Sequence, residues 1–111
     1  MPQTQGPQWE PANVTNIAAT FGATGQSASF RPAAGRPFNV SIWGTFVATV
    51  QLERSFDDGS TWVVCSRDSA GTNASYTAPA SLLIEEPEAG VLYRLNCAAY
   101  TSGTVSYRIS Q

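Results

Sequence analysis

The sequence predicts an all-β protein: a single antiparallel β-sandwich, immunoglobulin-like or jelly-roll-like, with about seven or eight strands and an extended N-terminal arm. Three observations lead there. Apolar and polar residues alternate with period two along much of the chain after residue 12, which sends neighbouring side chains to opposite faces of a strand. Gly, Asn and Asp clusters interrupt that alternation about every ten residues, as turns between short strands do. No window sustains a helix, because Gly, Pro and Thr cut every Ala-rich patch. The expected organisation is an arm over residues 1–12 and one sandwich domain over residues 13–111, with no internal repeat.

The arm reads MPQTQGPQWEPA, with three prolines, three glutamines and a glycine in twelve positions. Such a segment holds neither a helix nor a central strand. Trp9 is poorly placed on a free tail, so the arm is expected to dock on its own domain or on a neighbour. Strands are then expected over 13–21 and 27–32, separated by the turn signal at 22–25. The segment 37–44 places Phe38, Val40 and Ile42 on one face. The clearest element is 45–56, where Phe46, Ala48, Val50 and Leu52 alternate with Val47, Thr49, Gln51 and Glu53. Residues 60–67 form a further candidate. After a turn at 71–73 come the short candidates 75–80 and 81–85. Residues 90–100 set Val91, Tyr93, Leu95 and Cys97 against Leu92, Arg94, Asn96 and Ala98. The last strand, 104–110, turns Val105, Tyr107 and Ile109 inward. Short connections predict antiparallel neighbours.

Composition narrows the function. Only 13% of the 111 residues are charged, about half the roughly 25% of ordinary soluble domains. All six basic residues are arginine, and the chain has no histidine. That removes Ser-His-Asp and Cys-His nucleophiles and imidazole proton shuttles. Two cysteines are too few for a structural zinc site, so no metal and no cofactor is expected. A net charge of -2 with six scattered arginines argues against binding a phosphate backbone, and no nucleic-acid partner is expected. No stretch approaches a membrane span, and the first thirty residues lack the basic start and apolar run of a signal peptide. The expectation is a binding or building-block domain with no enzymatic activity and no membrane partner.

One motif stands out. Ser55, Asp57, Gly59, Thr61 and Trp62 fit the Ser-x-Asp-x-Gly-x-Thr-Trp pattern of an Asp box. Its physics is local: an Asx-type turn tied by Asp57, a positive φ at Gly59, and Trp62 folded over the hairpin. It is expected to be a structural cap rather than a glycan-processing site. Asp57 and Asp58 lack the spaced oxygen ligands of a calcium loop. Glu85, Glu86 and Glu88 are expected as a solvated acidic turn, since consecutive strand carboxylates do not converge. Cys65 and Cys97 are expected as buried free thiols. Trp43 and Trp62 are expected in the core or on a hairpin cap, with sugar stacking as the alternative use.

Two stretches together carry a resemblance. FNVSIWGTF (38–46) runs on to VQLERSFDDGSTW (50–62), and GVLYRL (90–95) is followed by YTSGTVSYRI (100–109). In that order they resemble small β-sandwich virion proteins of tailed bacteriophages, of the head-decoration (cement) or head-fibre type. The match covers about residues 37–111. It implies a non-enzymatic protein on the capsid exterior, made in the host cytoplasm, a homotrimer whose partner is the major capsid protein of the phage head. The resemblance brings no catalytic residues. It gives the N-terminal arm a partner contact, which here falls on Pro2, Gln3, Gln5, Pro7, Gln8 and Trp9. The alternative it leaves is a head-fibre, tail-tip or baseplate module that binds a host receptor or glycan. A cellular immunoglobulin-like or carbohydrate-binding module is the third possibility.

Overall fold

The computed structural model describes residues 16–111; the arm and the first three residues of the first expected strand lie outside them. Among the described residues the fold is all-β, with nine strands and no helix. They are β1 (Asn16–Phe21), β2 (Gly25–Gln26), β3 (Phe38–Trp43), β4 (Phe46–Ser55), β5 (Val63–Val64), β6 (Ser75–Tyr76), β7 (Ala80–Ile84), β8 (Leu92–Gly103) and β9 (Val105–Ser110). Sheet I has the order β1-β9-β3-β7. Sheet II has the order β2-β8-β4-β5, with β6 also on β4. Every pairing is antiparallel. The two sheets pack face to face as a sandwich, as the alternation predicts.

The inward rows are those the period-two reading selects. Phe38, Val40 and Ile42 of β3, Val50 and Leu52 of β4, Tyr93, Leu95 and Cys97 of β8, and Val105, Tyr107 and Ile109 of β9 are all buried. Each large side chain taken out of water this way stabilises the fold by about 1.5–3 kcal/mol before entropy is counted. Aromatic rings join the two sheets at the Phe38 end of the core, and a second ring pair packs within sheet I at the other end. Phe38 meets Tyr93 edge-on at 4.8 Å and Phe30 at 5.6 Å, while Phe21 stacks on Tyr107 at 4.6 Å.

Short connections do not mean hairpins here. Strands β3 and β4 are joined by Gly44 and Thr45 alone, yet they lie in different sheets. The same is true of β8 and β9, joined by Thr104. Gly44 (φ 114°) and Gly103 (φ 91°) turn these corners in a backbone region open to glycine. The corners lock together, with the Thr104 amide donating to the Thr45 carbonyl at 3.0 Å. The long ladders are therefore β4 with β8 and β3 with β9.

Other expected boundaries shift for local reasons. Over 27–32 no strand forms: Phe30 makes a single bridge to Tyr93, and the Ser27 hydroxyl replaces a backbone acceptor by taking the Leu95 amide at 2.9 Å. Residues 60–67 and 75–80 contribute only the two-residue strands β5 and β6, because both share the single free edge of β4. Leu52 serves both, accepting from the Cys65 amide and donating to the Ala74 carbonyl.

Candidate functional site

The Asp-box segment is tied as its sequence predicts. The Ser55 hydroxyl donates to Asp57 Oδ1 at 2.8 Å and accepts the Gly59 amide at 2.8 Å. Asp57 Oδ1 also accepts the Thr61 amide at 2.7 Å. Gly59 has φ 94°, and Asp58 joins it in the left-handed region at φ 60°, its carboxylate paired with Arg31. Ser55, Asp57, Gly59 and Thr61 are thus brought together, and their bonding is spent within the loop. The Thr61 amide first, then the Ser55 hydroxyl, hold the Asp57 carboxyl below its ordinary value of 3.8. A lowered folded-state pKa contributes stability that is complete above the ordinary value and lost as pH falls through the lowered one. Urea midpoints of the wild type should therefore fall as the pH drops below about 4. Asp57→Asn should remove part of that slope; identical slopes would show that the loop bonds do not stabilise the fold.

Trp62 lies over Arg94, whose guanidinium carbon is 4.2 Å from the ring centre. Beneath it runs a polar network on the outer face of sheet II. Arg94 donates to Glu53 Oε1 at 2.8 Å, Asn96 donates to Glu53 Oε2 at 3.0 Å, and Gln26 donates to Asn96 at 3.1 Å. Glu53 occupies an outward position yet is buried, because this network and the hairpin cover it. The hairpin is a lid on the sheet, and Trp62 is its cap.

Glu86 corrects an expectation. It is only 4% exposed rather than part of a solvated acidic turn. Its Oε1 accepts the Tyr93 hydroxyl at 2.8 Å and Arg54 Nη1 at 3.2 Å, and its Oε2 accepts the Glu88 amide at 3.0 Å. Its carbonyl takes the Gly35 amide. Opposite-sign partners on Glu53 and Glu86 were visible in the sequence as arginines at 54 and 94. Nothing in the sequence states the register that joins them.

Two surfaces remain for a partner. The first is an open cleft of about 690 Å³ where the edge of β7 faces β5 and β6. Its rim carries Phe56, Val63 and Leu83, exposed by 54%, 52% and 72%. Three of the five exposed large apolar side chains of the described residues therefore gather at one place. The Cys65 thiol in its wall is pushed up to about 11 by burial, so it stays protonated at neutral pH. No disulfide joins it to Cys97; Cys97 is buried as expected, Cys65 only partly.

The second is the outer face of sheet I. Register aligns Ala18, Arg108, Ser41 and Ser81 in one row across it, and Thr20, Ser106 and Trp43 in the next. A third row runs Asn16, Ser110, Asn39 and Leu83. Arg108 is the single charge among these positions. Trp43 is 48% exposed here, so it belongs neither to the core nor to a hairpin cap. Among the described residues no group of three or more His, Cys, Asp or Glu is placed to hold a metal ion, and no helix is long and apolar enough to cross a membrane. The arm residues Pro2, Gln3, Gln5, Pro7, Gln8 and Trp9 lie outside the described residues. Compared with protein-family models, curated proteins and solved structures, the chain matches none of them.

Proposed function

We propose that this chain is a non-enzymatic bacteriophage head-decoration protein that seats on the outside of the mature capsid as a homotrimer and bridges major capsid subunits. The observation that carries the reading is the outer face of sheet I, an array of Ser, Thr, Asn and Ala with one arginine, an exposed tryptophan at the end of β3 and Leu83 at the β7 edge. Such a face gives up few tightly held waters when it meets a neighbour, and its aromatic anchors the contact. The sequence resemblance supplies the class of neighbour, and the arm supplies a second contact. A protein that binds the assembled shell and not the free subunit adds its binding energy to shell stability. Repeated weak contacts suffice when one trimer touches several subunits.

The test is the heat stability of mature heads lacking this protein, measured before and after its addition. Wild-type protein should raise the temperature of head disruption and do so saturably. Thr20→Glu and Ser81→Glu, each placing a charge on the exposed face with no direct cross-strand partner of opposite sign, should weaken the effect at least about tenfold while leaving the Tm of the isolated protein unchanged. No rise with wild-type protein would overturn the reading. Trp43 favours one second reading, a host-glycan contact in a head-fibre, tail-tip or baseplate module, because an exposed ring on a flat polar sheet stacks on sugars. Saturable binding to host polysaccharide that Trp43→Ala abolishes would favour it over decoration.

A further inference from the structure

We propose that the open edge of β7 is a self-association site, on which a second copy of this chain lays its own β7 antiparallel about a two-fold axis at Leu82. The inference concerns the free protein in solution. It does not rest on the capsid reading, whose trimer would assemble only after such a pair had parted.

Three observations carry it. First, β7 ends sheet I, and among the described residues its outer edge is unpaired. An exposed strand edge is a template for another strand, and proteins that keep theirs free do so with a charge, a proline or a bulge. β7 has none of these. Ala80–Ile84 pairs with β3 residue by residue without a register shift, and no charged residue lies between Asp68 and Glu85. Second, the edge is short of cover. Leu82 and Ile84 point inward yet are only half-buried, and the outward Leu83 is 72% exposed. The apolar surface therefore continues past the last strand of the sheet, beside the exposed Phe56 and Val63 of the cleft rim.

Third, β7 fits itself. Directly opposed residues on antiparallel strands point to the same face, so a pairing that continues both cores must set inward residues against inward residues. An axis at Leu82 does this over the whole strand. Ala80 then faces the partner's Ile84, Ser81 the partner's Leu83, and Leu82 the partner's Leu82. Moving the axis to Ser81 brings Pro79, which has no N–H, into the ladder. Moving it to Leu83 reaches Glu86, whose carboxylate and carbonyl are already bonded within the chain. Charge permits the pair as well. Glu85 and the partner's Glu85 fall on opposite sides of the axis, about 20 Å apart along the strands, beyond the roughly 8–10 Å over which salt leaves charges visible to one another. A contact of this symmetry uses both β7 edges and closes at two copies. The strand spans only about 17 Å. The interface therefore falls below the roughly 800 Å² per partner of a standard complex, and a dissociation constant on the order of 10–100 μM is expected.

The experiment is sedimentation and NMR of the full chain from about 10 μM to about 1 mM, with one sample mixing isotope-labelled and unlabelled copies. Sedimentation should show a monomer–dimer equilibrium. The β7 amides not bonded to β3 should exchange at least about threefold more slowly at the highest concentration than at the lowest. Isotope-filtered spectra should connect the Ala80 methyl of one copy to the Ile84 methyls of the other. Within one chain these residues lie about 14 Å apart along the strand, too far for that contact. Leu83→Lys sets like charges diagonally across the axis and should weaken the dimer at least about tenfold. Its Tm below about 10 μM, where the chain is monomeric, should equal that of the wild type. A monomer at every concentration would overturn the proposal. So would a dimer without the Ala80–Ile84 contact, or a dimer that Leu83→Lys leaves intact. Protection of β7 that is equal at all concentrations would overturn it too, since the edge would then be covered from within the chain.

Discussion

Glu86→Ala should lower the stability of the isolated domain by about 3 kcal/mol, a fall in Tm of roughly 15 °C for a domain of this size. The carboxylate accepts three hydrogen bonds at the base of the sandwich, from Tyr93, Arg54 and Glu88. Alanine leaves the buried Tyr93 hydroxyl without that acceptor, which is the larger part of the penalty. Arg54 adds less, because its side chain is 42% exposed and keeps water. Glu86→Gln preserves acceptors and removes only the charge, so it should lose less than half as much. Equal losses in the two variants would assign the effect to the ion pair instead.

The same cluster sets an alkaline limit. Burial first, and then the hydrogen bond to Glu86, push the Tyr93 hydroxyl up to about 12. A raised folded-state pKa contributes stability that is whole below the unfolded value near 10 and is lost as pH rises through the folded one. Denaturation midpoints should therefore decline between about pH 10 and pH 12, and Tyr93→Phe should flatten that decline.

Gly103→Ala should be comparably severe, at about 3 kcal/mol. Its φ of 91° is a strained conformation for any residue with a Cβ. An added Cβ would also collide with the Thr45 carbonyl and crowd the Phe46 backbone. Both obstacles are backbone, so relief requires the two interlocked corners to separate. By contrast, Gly71→Ala has the same kind of φ, 83°, with nothing within 4 Å of the new Cβ. It should show the conformational penalty alone, about 1–2 kcal/mol. Equal thermal shifts in the two variants would mean that the corner contact does not constrain the fold.

What the sequence made legible follows from where single residues decide the outcome. Strict alternation in 38–42, 46–52, 91–97 and 105–109 names the buried rows, because only one face of each strand reaches the core. The Asp-box bonds were legible for the same reason, since all their partners lie within seven positions. Gly44-Thr45 reads as a tight hairpin until the strands are seen in different sheets; a two-residue link permits either, and the choice belongs to the packing of two distant corners. Glu86 reads as solvated beside Glu85, Pro87 and Glu88 because its partners, Tyr93 and Arg54, are set side by side only by the β4–β8 register. Trp43 sits at the end of a strand whose alternation turns it outward, a position the pattern already implied. The cleft has no sequence signature, being the gap between two strand edges.

The surface chemistry gives the low charge count its meaning. Sheet I shows water a nearly neutral face while its acidic and basic residues cluster on sheet II and in the loops around it. The asymmetry fits a molecule that offers one face to a repeated neighbour. The most direct test is co-sedimentation of the purified protein with expanded mature heads and, separately, with isolated capsid subunits. Decoration predicts stoichiometric, saturable binding to the heads at micromolar concentration and none to the subunits. Failure to sediment with the heads at that concentration would contradict it.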